Sequence, residues 1–258
     1  MGFAARARQD DEGRTGTVVP AENDESARPA SRTRPGPRRS LELAQVVDAA
    51  MAAIDEGGRD ALSVRSVAAR LGVRPNALYT YVASRSALER EVVERVLGES
   101  DLALLTGPAD RWRTRIRSYA VSLREVLLRH PAVATLMMSA PMDGPSAVMI
   151  GERLLGALCD AGLAADHAAR ATYAIIVQVI GFVALEVAET DGRPPLPPES
   201  ERIAGRRAAL EFLDPATWPL SAATRDVAAR WISTDQFVWS VDRLLDGVAG
   251  RQARGSRR

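Results

Sequence analysis

Between Ser63 and Arg85 the chain reads SVRSVAARLGVRPNALYTYVASR, with four arginines, two tyrosines, one asparagine and no acidic residue. Guanidinium groups suit phosphate oxygens and guanine edges, and an asparagine amide suits adenine. The chemistry on offer is nucleic-acid binding. Catalysis has little to work with elsewhere. His130 and His167 are the only histidines, and neither has a ligand companion at metal-site spacing. No phosphate-binding glycine loop, dinucleotide motif or nucleophile elbow occurs. No enzymatic activity, metal or cofactor is expected.

The elements that would position those side chains follow from the same stretch. Ser63 is placed to cap a helix. Val64, Val67, Ala68 and Leu71 recur at helical spacing. Gly72 supplies the left-handed residue that ends that helix, with Val73 tucked behind it. Pro75 suits the first position of a second helix. Leu78 and Val82 face inward, so Asn76, Tyr79, Thr80 and Ala83 face outward. This is a helix-turn-helix signature. A plain helical hairpin shares the spacing. The Pro75–Asn76 entry, the two tyrosines and the acid-free arginines favour DNA. The DNA-facing set is Ser63, Arg65, Arg74, Pro75, Asn76, Ala77, Tyr79, Thr80, Tyr81 and Arg85. Arg74, Asn76, Tyr79, Thr80 and Tyr81 would face DNA, with Arg74 or Asn76 reading bases, while Arg65 and Arg85 would hold phosphates.

Composition sets the limits. Among 258 residues the net charge is +1, so DNA affinity must come from local clusters. All 34 basic residues are arginine, a bias that a GC-rich genome also produces. The single cysteine, Cys159, excludes an internal disulfide and reads as a small buried residue. No signal peptide is evident. The longest uncharged apolar run, Ala171 to Leu185, is too short to span a bilayer and contains Gln178. A cytoplasmic protein without membrane contact is expected.

Residues 1–39 are polar, charged and proline-rich, and they predict a disordered arm. From Arg28 to Arg39 the arm holds five arginines, three prolines and no acid. It is either a DNA-contacting arm or a solvated linker, and the sequence leaves both open. Residues 40–98 predict four short helices, the recognition helix third. The first is aliphatic and ends at Gly57–Gly58; Ser84 caps the fourth.

The run from Leu41 to Leu97 resembles the DNA-binding domain of the tetracycline-repressor (TetR) family. The resemblance rests on that first helix, the Ser63–Arg65 start and Val67-Ala68-Ala69-Arg70-Leu71-Gly72-Val73. It extends through Leu78-Tyr79-x-Tyr81-Val82 and Ser84-Arg85-x-x-Leu88. Thr80 stands where the family often has an aromatic residue, and Tyr81 where it often has histidine.

Residues 106–250 predict a second helical domain. Trp112, Ile116, Tyr119, Ala120, Leu123 and Leu127 mark one face of a long helix. Its arginines (111, 113, 115, 117 and 124) read as a solvated face. A helix from about Asp166 to Thr190 is apolar nearly all round and must be covered on all sides, partly by a partner. The LRHPAVATLM, LDPATWPL and FVWSVDRLLDGVAG stretches resemble the family's ligand-binding and dimerisation domain. Trp112, Ile116, Tyr119, Met137, Met138, Met142, Met149, Tyr173, Ile176, Gln178 and Phe182 are the candidate pocket residues.

The expected whole is all-α: an N-terminal helix-turn-helix domain of three or four helices and a C-terminal helical ligand-binding and dimerisation domain. The resemblance implies a homodimeric repressor released from double-stranded operator DNA by a small-molecule effector. The rivals are a helical carrier or sensor that never touches DNA, and a regulator without an effector.

Overall fold

Serine caps and one left-handed glycine mark out the first helices. The computed structural model describes residues 41–190 and 192–255; the arm expected over residues 1–39 lies outside them. Helix α1 (Leu43–Ala61) begins where the Gln45 side chain accepts the Glu42 N–H at 3.0 Å. It kinks at Gly58, whose φ is 69°, and then makes one more turn, so the glycine pair bends this helix rather than ending it. Helix α2 (Val64–Arg70) opens on a reciprocal cap: the hydroxyls of Ser63 and Ser66 each accept the other's N–H at 3.0 Å. Gly72, at φ 66°, closes it, and the Val73 N–H returns to the Ala68 carbonyl at 3.0 Å. Helix α3 (Pro75–Leu78) has proline at its first position. Helix α4 (Arg85–Leu97) is capped by the Ser84 hydroxyl, which accepts the Ala87 N–H at 3.1 Å. Val46, Ala50, Ile54, Val67, Leu78, Val82, Leu88 and Val92 are each at most 1% exposed and share one core. Burying each large aliphatic side chain contributes about 1.5–3 kcal/mol.

Two short 3-10 turns lead into α5 (Trp112–Arg129). There follow α6 (Pro131–Leu136), α7 (Pro145–Asp160), α8 (Ala165–Ala188) and α9 (Glu199–Ala209). Helices α10 (Pro219–Ala223), α11 (Arg225–Ala229) and α12 (Thr234–Gly255) complete the chain, with no strand among the described residues. Gly162, at φ 89°, turns α7 back into α8. Helix α8 is long and apolar enough by length and composition to cross a bilayer. Here it is the central strut of the fold, packed on α5, α6, α7 and α12. Across the expected boundary near Thr106 the helices pack on one another, α1 on α6 and α4 on α5, α6 and α7. The described residues from Leu41 on form one compact unit.

Only part of the expected arginine face is solvated: Arg111 and Arg117 are exposed and Arg113 is half-buried, while Arg115 and Arg124 are buried. Arg113 pairs with Asp246, and Arg117 lies 3.5 Å from Asp242, tying α5 to α12. Arg115 is buried and donates to the carbonyls of Leu105 (Nε, 3.0 Å) and Gly107 (2.9 Å). Arg124 forks onto Glu186 at 3.0 and 2.8 Å, with its guanidinium carbon 5.5 Å from the Phe237 ring centre. Arg202 of α9 joins the same carboxylate at 2.6 Å. Glu186 is 0% exposed in the apolar C-terminal part of α8, where these partners compensate its burial. Cys159 is exposed, against expectation, because Leu154, Ala157 and Leu158 take the buried side of α7.

Glu186→Ala leaves two guanidinium groups without their shared carboxylate. A loss of about 3–5 kcal/mol is expected, read from urea unfolding at unchanged slope. Tyr119 gives a pH signature. Burial pushes its phenol up to about 12, although it hydrogen-bonds the Ser100 hydroxyl at 3.3 Å. An unfolded tyrosine ionises near pH 10. The stability tied to this group is therefore complete below about pH 10 and lost progressively as pH rises towards about 12. Denaturation midpoints across that window should fall less in Tyr119→Phe than in the wild type.

Candidate nucleic-acid interface and effector half

The segment from Gly72 to Val82 is held from below and open above. Leu78 and Val82 are buried, while Arg74, Pro75, Asn76, Ala77, Tyr79 and Thr80 are all exposed, Tyr79 at 53%. Arg65 is exposed on α2 beside them, and Ser63 is half-buried in its capping role. Arg70, by contrast, is paired with Glu56. The hydrogen bonds and charge from Arg70 hold the exposed Glu56 carboxyl below its usual range.

Two members of the expected set are placed otherwise. Tyr81 does not face outward: it is half-buried, and its hydroxyl donates to the Leu41 carbonyl. It lies three residues beyond Leu78 and next to Val82, on the side of the turn that meets the core. Arg85 is exposed but already engaged. Its Nε lies 3.0 Å from Glu89, and its Nη2 donates to the Arg59 carbonyl at 3.1 Å. A phosphate would have to compete with both contacts.

The effector half divides the expected pocket set in three. Trp112, Ile116, Tyr119 and Met137 are buried in the shared core. Ile176, Gln178 and Phe182 are half-buried, and Gln178 donates to the Ser240 hydroxyl at 2.8 Å across the α8–α12 seam. Phe182 meets Phe237 edge to face at 5.1 Å. Met138, Met142, Met149 and Tyr173 are exposed. The structure therefore does not gather the set around one cavity. Met149 instead borders two clefts. One of about 250 Å³ lies between the end of α4 and the start of α7, lined by Leu97, Gly98, Pro145 and Ile150 among others. One of about 470 Å³ lies along α7 and includes Arg115, Arg153 and Asp160. Among the described residues, no group of three or more His, Cys, Asp or Glu is placed to hold a metal ion.

Sequence reasoning passed over Glu94 of α4, whose carboxylate reaches the first turn of α7. A signal was available. The Gly144-Pro145-Ser146 start of α7 has no side chain at its N-cap, so an acceptor must come from elsewhere.

Comparison with known proteins gives a concordant picture. The family model described as "Bacterial regulatory proteins, tetR family" matches residues 46–92. The model described as "Tetracyclin repressor-like, C-terminal domain" matches residues 106–251. An HTH-type transcriptional regulator from Saccharopolyspora erythraea is 34% identical over 156 residues, covering 60% of this chain and 64% of that protein. The transcriptional repressor DrrR1 of Streptomyces coeruleorubidus is 31% identical over 228 residues, covering 83% of this chain and 79% of that one. The crystal structure of the TetR family protein ActR of Streptomyces coelicolor in complex with actinorhodin shares the fold. Its TM-score is 0.70 at 24% identity, over 82% of this chain and 97% of that one. With both halves matched in order and a helix-turn-helix open on its outer face, this chain belongs to the tetR family of bacterial transcriptional regulators.

Proposed function

We propose that this protein is a homodimeric repressor that grips operator DNA through Arg65 and the exposed edge from Arg74 to Thr80. It is released when a small, mainly apolar molecule occupies the effector half. The observation that carries the DNA reading is the one-sidedness of the recognition segment. Six consecutive or near-consecutive positions are exposed, while Leu78 and Val82 anchor them from beneath. Arg74 and Asn76 read bases, Tyr79 and Thr80 pack on the groove, and Arg65 holds a phosphate.

One such segment is short, and two related by a two-fold axis fit half-sites about one DNA turn apart. The face for that pairing is a stripe on α8 at intervals of four: Tyr173 (72% exposed), Val177, Gly181 and Leu185. Around Gly181 an added Cβ would meet nothing within 4 Å, which leaves the middle of the stripe open to close approach. On α12, Trp239 is exposed in the same way. Such a face suits an isologous contact. For the effector, the two clefts flanking Met149 are the starting sites, with Ser100 and Arg153 supplying polar contacts. That the same fold holds actinorhodin in ActR supports a small-molecule effector here.

The DNA assignment is tested with a palindrome recovered by wild-type protein from a random DNA pool. Arg74→Ala or Asn76→Ala should lose about 1–3 kcal/mol of binding and relax one base position. Arg65→Ala should weaken all sequences alike and lower the salt slope by about one. Tyr81→Phe should cost about 1 kcal/mol of stability and leave base preference unchanged. Equal binding by wild type and an Arg74/Tyr79 double alanine variant would remove the assignment.

The dimer is tested by light scattering. Trp239→Arg should give folded monomers. Val183→Arg should instead unfold the chain, because Val183 is 0% exposed within its own protomer, not at the pairing face that its apolar surroundings suggest.

A further inference from the structure

Helix α4 carries Arg90 and Glu94, with its C-cap Gly98 four residues further on, a single stripe along about two turns. That stripe meets the short segment Asp143–Ala147 at the start of α7. Arg90 makes a two-pronged ion pair with Asp143, Nε to Oδ1 at 2.8 Å and Nη2 to Oδ2 at 2.9 Å. One turn on, the Glu94 carboxylate accepts the Ser146 N–H at 2.6 Å and the Ala147 N–H at 3.2 Å. Helix α7 begins with Gly144 at its N-cap and Pro145 at its first position, so it has no capping side chain of its own. The DNA-binding half supplies the cap that the effector half lacks.

Gly144 is shaped to this seat. Its φ of −84° is one that any residue adopts, so the backbone does not require glycine. The Glu94 seat does: an added Cβ would lie 2.3 Å from Glu94 Cδ and 2.5 Å from its Cγ, so the Glu94 side chain would have to swing out of the seat. One other charged contact joins the halves: just past α4, Glu99 lies 3.1 Å from Arg129 and 3.2 Å from His130. Elsewhere α1 and α4 meet α5 and α6 through a continuous core of aliphatic side chains. Apolar packing is non-directional and lets surfaces slide. Charge-assisted hydrogen bonds fix an angle. The cleft of about 250 Å³ lies against this joint, with Leu97 and Gly98 on one wall and Pro145 and Ser146 on the other.

We infer that Glu94, seated over Gly144 and steadied by the Arg90–Asp143 pair, is the positioning residue that sets the angle of the recognition segment. It thereby sets the half-site spacing that the dimer accepts. The inference rests on the dimeric DNA-binding reading above. Apolar contacts and the Glu99 pair with Arg129 and His130 hold the two halves together, and Glu94 fixes the seat of α4 on the start of α7. Widening the neighbouring cleft draws the carboxylate away from the α7 amides.

The test uses the full-length protein and two duplexes. One is the palindrome selected from a random pool by wild type; the other is the same palindrome with one base pair inserted between its half-sites. The readout is the ratio of the two affinities. Wild type should prefer the selected spacing by about tenfold or more, a coupling of ordinary size. Glu94→Ala and Gly144→Ala should each bring the ratio close to one, and Arg90→Ala should lower it in part. Because Gly144→Ala acts by displacing Glu94, adding it to Glu94→Ala should change nothing further. Thermal melting and light scattering show that each variant is a folded dimer. A merely structural role would weaken binding to both duplexes alike and leave the ratio intact. A folded, dimeric Glu94→Ala protein that keeps the wild-type ratio overturns the inference. A monomeric wild type, or one indifferent to the insertion, overturns the dimeric reading and the inference with it.

Discussion

Four residues cannot hold a helix together, and the DNA-facing surface of this protein is built on a helix of that length, Pro75–Leu78. Fixing the first turn costs backbone entropy that a single hydrogen bond does not repay. Its shape must therefore be imposed from outside. Gly72 reverses the chain, Pro75 presets the first dihedral, Leu78 and Val82 lock the turn into the core, and Tyr81 ties its far end to Leu41. The side chains of Leu78, Tyr81 and Val82 are spent on the inner face. The residues left over are therefore the exposed ones, and Asn76, Tyr79 and Thr80 are among them.

The effector half meets a similar demand with charge. The buried carboxylate of Glu186 on α8 draws in Arg124 from α5 and Arg202 from α9. Buried pairs of this kind add little net stability, but they are unforgiving of misregister. Arg206 extends the theme, donating at 2.8 Å to the carbonyls of both Ala229 and Ile232. It fastens α9 to the chain around α11. Neither α9 nor α10 has a fully buried residue, and Phe212, Trp218 and Leu220 stay exposed. In this region arginine forks do the holding that a hydrophobic core does elsewhere. A chain whose 34 basic side chains are all arginine is well supplied for it.

What could be read from the sequence was what is local. The caps at Ser63 and Ser84, the Gly72 turn and the inward stripe of Leu78 and Val82 depend on neighbours a few residues away. They gave the helix-turn-helix and, with it, the family; the carrier reading without DNA has no place in that assignment. What escaped was non-local. The Tyr81 hydroxyl finds its acceptor 40 residues back, and the α5 arginines find carboxylates 62 and 133 residues on. The lone Glu186 in an apolar run was a visible hint that a cation must come from elsewhere. The methionines misled for another reason. Spacing gives a face but not its depth: Met149 lies on an exposed face of α7, and Met138 and Met142 lie in the exposed turn and loop between α6 and α7.

The seat of Glu94 over Gly144 bears on how such a chain can be recombined. The break at Thr106–Pro108 is a natural place to graft one DNA-reading half onto another sensor. A graft there parts the carboxylate from the glycine that makes room for it. A foreign sensor with any side chain in place of Gly144 would push against Glu94 at well under contact distance. A foreign reader without the acid would leave the first amides of α7 uncapped. On the inference drawn above, residues 94 and 144 form a compatibility pair, and a chain that exchanges one half keeps the seat only if the other half brings the matching residue.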